Sequence, residues 1–160
     1  MGMQLPDGLR FALSVLGYEW PATDEDVLLA WADDWQSLAA GLGENGAMLS
    51  STVTSVVERN EGPGLDAFVA FTDAEGGTRD SMNKAAHGCM QFASAFRMLA
   101  EVVRALKTLI IGQLIILAAA IALAVASGGW GSAGVLAAKE AAKRAIDFAI
   151  GEALTAILSE

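Results

Sequence analysis

"VLLAWADDWQSLAAGL" (residues 27–42) sets large apolar side chains at Leu28, Trp31, Trp35, Leu38 and Leu42, at spacings of three and four. That alternation marks a helix with one apolar stripe; a strand would alternate every second residue. Leu49 and Val56 continue the register, with Asn45 and Thr52 at the remaining stripe positions. A period near 3.5 residues, held over roughly 35 residues, implies a long helix lying along a partner helix. Gly41, Gly43 and Gly46 weaken its middle by roughly 1 kcal/mol each relative to alanine, so a kink is expected there.

Upstream, "WPATDEDVLLAWADDW" (20–35) holds three of the four tryptophans and five carboxylates. Pro21 restricts Trp20 to an extended conformation and separates the N-terminal segment from the first long helix. Thr23 is then the expected helix cap, with Asp26 three residues on as a short-armed capping box. Asp24, Glu25 and Asp26 fill the first turn, where the helix dipole favours negative charge. General acid–base chemistry needs carboxylates converging on a pocket, and calcium needs alternating oxygen ligands around a glycine turn. Neither spacing is present. These acids therefore read as capping and solvated groups, with Asp33 and Asp34 on the solvent side of the stripe. Trp31 and Trp35, four residues apart, read as packing residues, and Trp20 as the residue that pins the N-terminal segment.

The second half repeats the pattern. Met82, Ala85, Cys89, Phe92, Phe96, Leu99, Val103, Leu106 and Ile110 again alternate three and four. Two long helices with matching stripes should form an antiparallel hairpin, and no segment has strand periodicity. The expected class is all-α: a long antiparallel helical hairpin with short N-terminal and linking helices and a C-terminal amphipathic helix, forming a bundle. The expected elements of this single domain are an N-terminal segment (1–22), a first long helix (23–60), a short helix (64–75), a second long helix (80–126) and a C-terminal helix (133–158). The "SGGWGSAG" stretch (127–134) reads as a tight turn.

Between Lys107 and Lys139 the chain carries no charge, and from Leu109 to Ala126 only Gln113 is polar. At 1.5 Å per residue that run spans about 27 Å, close to the hydrocarbon thickness of a bilayer. Two readings stand: burial inside the bundle, which is favoured, and membrane spanning. Arg104 and Lys107 precede the run and Lys139, Lys143 and Arg144 come after it, so flanking charge sets no orientation.

Composition narrows the function. The 160 residues are 54% hydrophobic, with mean hydropathy +0.44 and a formal charge of −9. Residues 1–80 hold fourteen acids against three bases, and residues 81–160 five against seven. An acidic chain is a poor phosphate binder, so no nucleic-acid role is expected. His87 and Cys89 are the single histidine and cysteine. They give no internal disulfide, zinc set or nucleophile–base pair, and Cys89 falls on the apolar stripe. No enzyme, metal, cofactor or small-molecule substrate is expected. The N-terminus lacks a basic region, and Arg10 and Gly17 interrupt its apolar run. A Sec signal peptide is therefore not expected, and Pro6 breaks the myristoylation pattern.

Residues 5–42, "LPDGLRFALSVLGYEWPATDEDVLLAWADDWQSLAAGL", resemble the N-terminal domains of large CpnT-like actinobacterial toxins in the WXG/ESAT-like superfamily. "RALKTLIIGQLIILAAAIALA" (104–124) is similar to the lysine-then-apolar helix of that family. The resemblance implies a non-enzymatic helical-hairpin module that recruits a polymorphic toxin to type VII (ESX) secretion. Such a module docks with itself or with a small helical partner, as a homo- or heterodimer. It implies Trp20 and Pro21 at the entry segment, and Trp31, Trp35, Leu38, Leu42, Phe92 and Phe96 as packing residues. The chain has no Trp-x-Gly turn, since Trp130 is followed directly by glycine. Phe148 and Glu152 carry the spacing of the Tyr-x-x-x-Asp/Glu export signature with phenylalanine in place of tyrosine. The implied location is secreted or cell-envelope by a non-Sec route; the alternative is a membrane-associated protein that inserts residues 109–126.

Overall fold

A computed structural model describes residues 2–126 and 133–159, and their regular structure is entirely helical: α1 (Asp7–Leu16), α2 (Glu25–Val57), α3 (Pro63–Asp73), α4 (Thr78–Ala126) and α5 (Ala133–Leu158). The fold is all-α, and no strand occurs among the described residues. Most of the "SGGWGSAG" stretch, Trp130 included, lies outside the described residues. The chain divides into two compact units: Met1–Leu28 with Met98–Glu160, and Leu29–Arg97. Helices α2 and α4 contribute to both.

α2 starts one residue later than Thr23 suggests. Asp24 is the cap: its Oδ1 accepts the N–H of Asp26 at 2.9 Å and of Val27 at 3.4 Å. Asp24 can reach those two amides from the position just before the first turn, which is the geometry of an N-cap. The N–H of Gly2 is the largest influence holding the Asp24 carboxyl below its usual range; desolvation opposes it, and the two capping amides reinforce it. The helix then runs unbroken through Gly41, Gly43 and Gly46 to Val57. Its 33 residues outlast the local cost of three glycines because packing, more than propensity, sets helix length.

Within the unit Leu29–Arg97, the antiparallel order of α2 and α4 shows in two aromatic pairs. Trp31 meets Phe96 edge-on, with centroids 5.5 Å apart, and Trp35 stacks on Phe92 at 5.0 Å. The pairs do not form the seam. The buried positions that α2 and α4 contribute here are mostly small: Ala32 and Ala39, with Val53, on α2, and Cys89 and Ala93 on α4. Trp31, Leu38 and Phe92, expected at the centre of the stripe, are instead about half exposed along its edges. Small seam residues let two helices approach closely, and bulky neighbours then fill the margins. Arg97 closes one margin, donating from Nη2 to Asp33 Oδ1 at 3.0 Å and to the Gln36 side-chain oxygen. We expect Ala93→Leu to lower the unfolding free energy by about 1–3 kcal/mol through overpacking. Ser94→Leu, one residue on and exposed, should change it by about 0.5 kcal/mol or less. Urea unfolding of both variants checks the seam.

In the other unit, α1 lies on α4 and α5. Leu5, Leu13 and Leu16 from the N-terminal segment join Ile110, Leu114, Leu117, Ala142 and Ile146 in one buried cluster. Gly17 ends α1 with φ of 89°, a left-handed conformation that glycine adopts without a Cβ clash. The N–H of Gly17 donates to Ser14 O and that of Tyr18 to Leu13 O, which satisfies the last carbonyls of the helix. The turn delivers Tyr18 to α5, where its hydroxyl donates to Asp147 Oδ1 at 2.5 Å and lies 3.2 Å from Lys143 O. Burial first, then the Asp147 carboxylate, pushes the Tyr18 hydroxyl pKa up to about 12.

Candidate functional site

Glu25 and Lys107 form a buried ion pair. The Nζ of Lys107 lies 2.7 Å from Glu25 Oε2, and each side chain is 2% exposed. The ammonium also donates to Thr23 O at 2.7 Å and sits 5.7 Å from the Trp20 ring centroid, within cation–π range. The other oxygen of Glu25 accepts the N–H of Met3 at 2.5 Å. Burial alone would raise the Glu25 carboxyl pKa. The hydrogen bonds from Lys107 and from Met3 overcome that and hold it below its usual range. Glu25 is thus no solvated dipole partner, as the sequence suggested, but the acceptor that ties three chain segments together. Gly2 passes so close that a Cβ there would lie 2.6 Å from Asp24 Oδ1 and 2.8 Å from Glu25 Oε2. Only glycine fits without displacing a carboxylate that is already held.

Past this pair the charge stops. In the stretch 109–126 only Ile110, Leu114, Leu117 and Ala124 are buried, while Ile115, Ile116, Leu123 and Val125 face outward. The helical stretch ending at Ala126 is long and apolar enough to cross a membrane, and 22% of its most apolar 18-residue window is buried. The favoured expectation, burial of this run within the bundle, is not met. One face packs under α1 and α5, Leu109 and Ile111 are half-buried beside it, and the outward residues have no cover from the described residues.

Beside that stretch, α4 and α5 enclose a groove of about 320 Å³, lined by Val102, Leu106 and Leu109 on one side and by Phe148, Ala153 and Ala156 on the other. Glu152 is the one charged residue in its lining. Phe148 and Glu152, picked out by their spacing, therefore line one wall of a single apolar groove, and Phe148 is 69% exposed. Of the other residues singled out from the sequence, Trp20 and Pro21 are half-buried, Trp20 against the α1–α4–α5 cluster. Trp35 is half-buried on Phe92. Leu42 is half-buried and lines a recess with Phe71, Met82 and Ala85. Tyr18, Glu25 and Lys107 were not singled out, and no local motif marks them.

The arrangement offers helix surfaces and one apolar groove. Among the described residues no group of three or more His, Cys, Asp or Glu side chains could hold a metal ion, and Cys89 is a buried free thiol. Comparison with curated proteins and with solved structures gives no match. A family model described as a WXG100 like domain matches residues 3–148, a span that includes the N-terminal segment, both long helices and most of α5. Family members are small helical proteins associated with type VII secretion, a non-Sec route. The chain belongs to the WXG100-like family.

Proposed function

We propose that the chain is a non-enzymatic targeting and assembly module of a type VII (ESX)-associated toxin. It acts by docking helix against helix with a second copy of itself or with a small helical partner. The observation that carries this reading is the α4–α5 groove, apolar along both walls, with Phe148 projecting at its edge and Glu152 as its one charged lining residue. An amphipathic helix laid into such a groove buries apolar residues at helical spacing. A carboxylate at the margin favours a partner helix with a basic residue at that point. The acidic first half keeps the module soluble and away from anionic partners. Sedimentation velocity in detergent-free buffer tests docking. The wild-type chain, alone or with its small helical partner, should form a defined complex that Phe148→Asp returns to monomer. A wild-type chain monomeric under both conditions would contradict the proposal.

The bare stretch at 109–126 favours a second reading, in which this segment enters a lipid bilayer. Ile116 is 60% exposed, so Ile116→Asp should leave the fold intact while adding a charge that costs about 3 kcal/mol in hydrocarbon. Under this reading wild-type protein floats with phosphatidylcholine vesicles and the variant does so much less. Equal flotation would count against it.

A further inference from the structure

We propose that residues 2–20 form a releasable strap over α4 and α5, and that letting go of this strap is what admits the α4 apolar stretch to a bilayer. The inference rests on the membrane reading and adds the step that controls it. The strap is small. Its hold on the apolar bed comes from Leu5, Leu13 and Leu16, seated against Ile110, Leu114, Leu117 and Ile146. At each end a polar clasp fixes it: Met3 N–H to Glu25 at the start, and the Tyr18 hydroxyl to Asp147 and Lys143 at the end. Between clasps lies one ten-residue helix that stops at a left-handed glycine.

The bed beneath this helix is the buried face of the same stretch whose other face is bare. With the strap seated, the helix that covers the apolar bed also carries Asp7 and Arg10 in an exposed ion pair. Neither charge can enter hydrocarbon cheaply. With the strap lifted, every face of 109–126 presented to lipid is uncharged. A bilayer fits this surface better than a soluble partner does, because protein interfaces carry a polar rim, and residues 108–138 contain no charge to build one. The run also matches the hydrocarbon thickness at about 27 Å.

The test uses the full chain, phosphatidylcholine vesicles and two readouts, amide exchange in α1 and flotation. Leu13→Asp places a carboxylate at the strap's best-buried position, and Tyr18→Phe removes the clasp hydroxyl while keeping the ring that packs against the cluster. Phe11→Asp adds the same charge on the outer face of α1, where Phe11 is 76% exposed, and serves as the matched control. Both releasing variants should retain helical circular dichroism, exchange several-fold faster across residues 7–16 and float several-fold more than wild type. Phe11→Asp should match wild type on both counts. If all four proteins float equally, the strap controls nothing and the membrane reading stands without it. If α1 exchanges fast yet nothing floats, both fail. If α1 stays protected in Leu13→Asp and in Tyr18→Phe, the strap is no releasable element and the proposal falls.

Discussion

Lys107→Ala should lower the unfolding free energy by about 3 kcal/mol, the lower end of the range for breaking a buried ion pair by removing one partner. The loss comes mainly from what stays behind: a Glu25 carboxylate 2% exposed with one acceptor site emptied. Thr23 O also loses its donor. The double variant Glu25→Gln with Lys107→Met should recover most of the loss, since neutral residues of similar shape leave no stranded charge. On that expectation the pair adds little net stability over a neutral pair of similar shape. Its pH dependence has a definite sign. The folded-state pKa of Glu25 is lowered, so the unfolded chain binds the proton more readily and stability rises with pH across that window. The contribution is complete above the ordinary glutamate range and is lost as pH falls through the lowered folded value. Urea unfolding at neutral and acidic pH should show a steeper acid loss in wild type than in the double variant. Equal slopes would contradict the assignment.

Leu114→Ala should cost about 3 kcal/mol, whereas Ile116→Ala, two residues on, should cost about 0.5 kcal/mol or less. Leu114 is fully buried in the α1–α4–α5 cluster, and Ile116 faces outward. Removing three heavy atoms from a closed site leaves a cavity as well as losing transfer energy. Removing them from a bare face leaves neither. The contrast between neighbours of the same chemistry reads directly which side of α4 the strap and α5 cover. Comparable costs at both positions would mean that the whole circumference of the stretch is covered.

The helical class was legible because the three-four spacing recurs in both halves, and two stripes of equal period call for each other. Which residues form the centre was not. Trp31, Leu38 and Phe92 drew attention by size, yet the buried positions lie one residue on, at Ala32, Ala39 and Ala93. A sharper signal was present in residues seven apart: Glu25, Ala32, Ala39, Gly46 and Val53 on α2, and Ala86, Ala93, Ala100, Lys107 and Leu114 on α4. Eight of these ten positions are buried, and Gly46 and Ala86 are half-buried. The series is small or apolar but for one acid and one base of opposite sign, and those two meet. Charge at a seven-residue series of small residues thus predicts a buried pair, where a count of first-turn acids predicts only a cap. Thr23 looked like that cap because its hydroxyl suits the role; in the folded chain Asp24 serves, and the Thr23 carbonyl receives Lys107 instead. The state of 109–126 was beyond reach for a different reason. A buried helix and a lipid-facing helix share one composition, and only the number of neighbours the fold supplies separates them. The spacing of Phe148 and Glu152 was legible as a pattern, but the groove they line needs α4 beside α5, which no local sequence specifies.

Export itself is the decisive measurement for a targeting module. The chain is fused ahead of a reporter enzyme and expressed in a bacterium with a working type VII system, and reporter activity is measured in the culture filtrate. The reporter should leave the cell, remain inside when the secretion ATPase is deleted, and be retained when Phe148→Ser and Glu152→Ala are combined in the fusion. A reporter retained by the wild-type fusion, or exported equally without the ATPase, would contradict a targeting role for this chain.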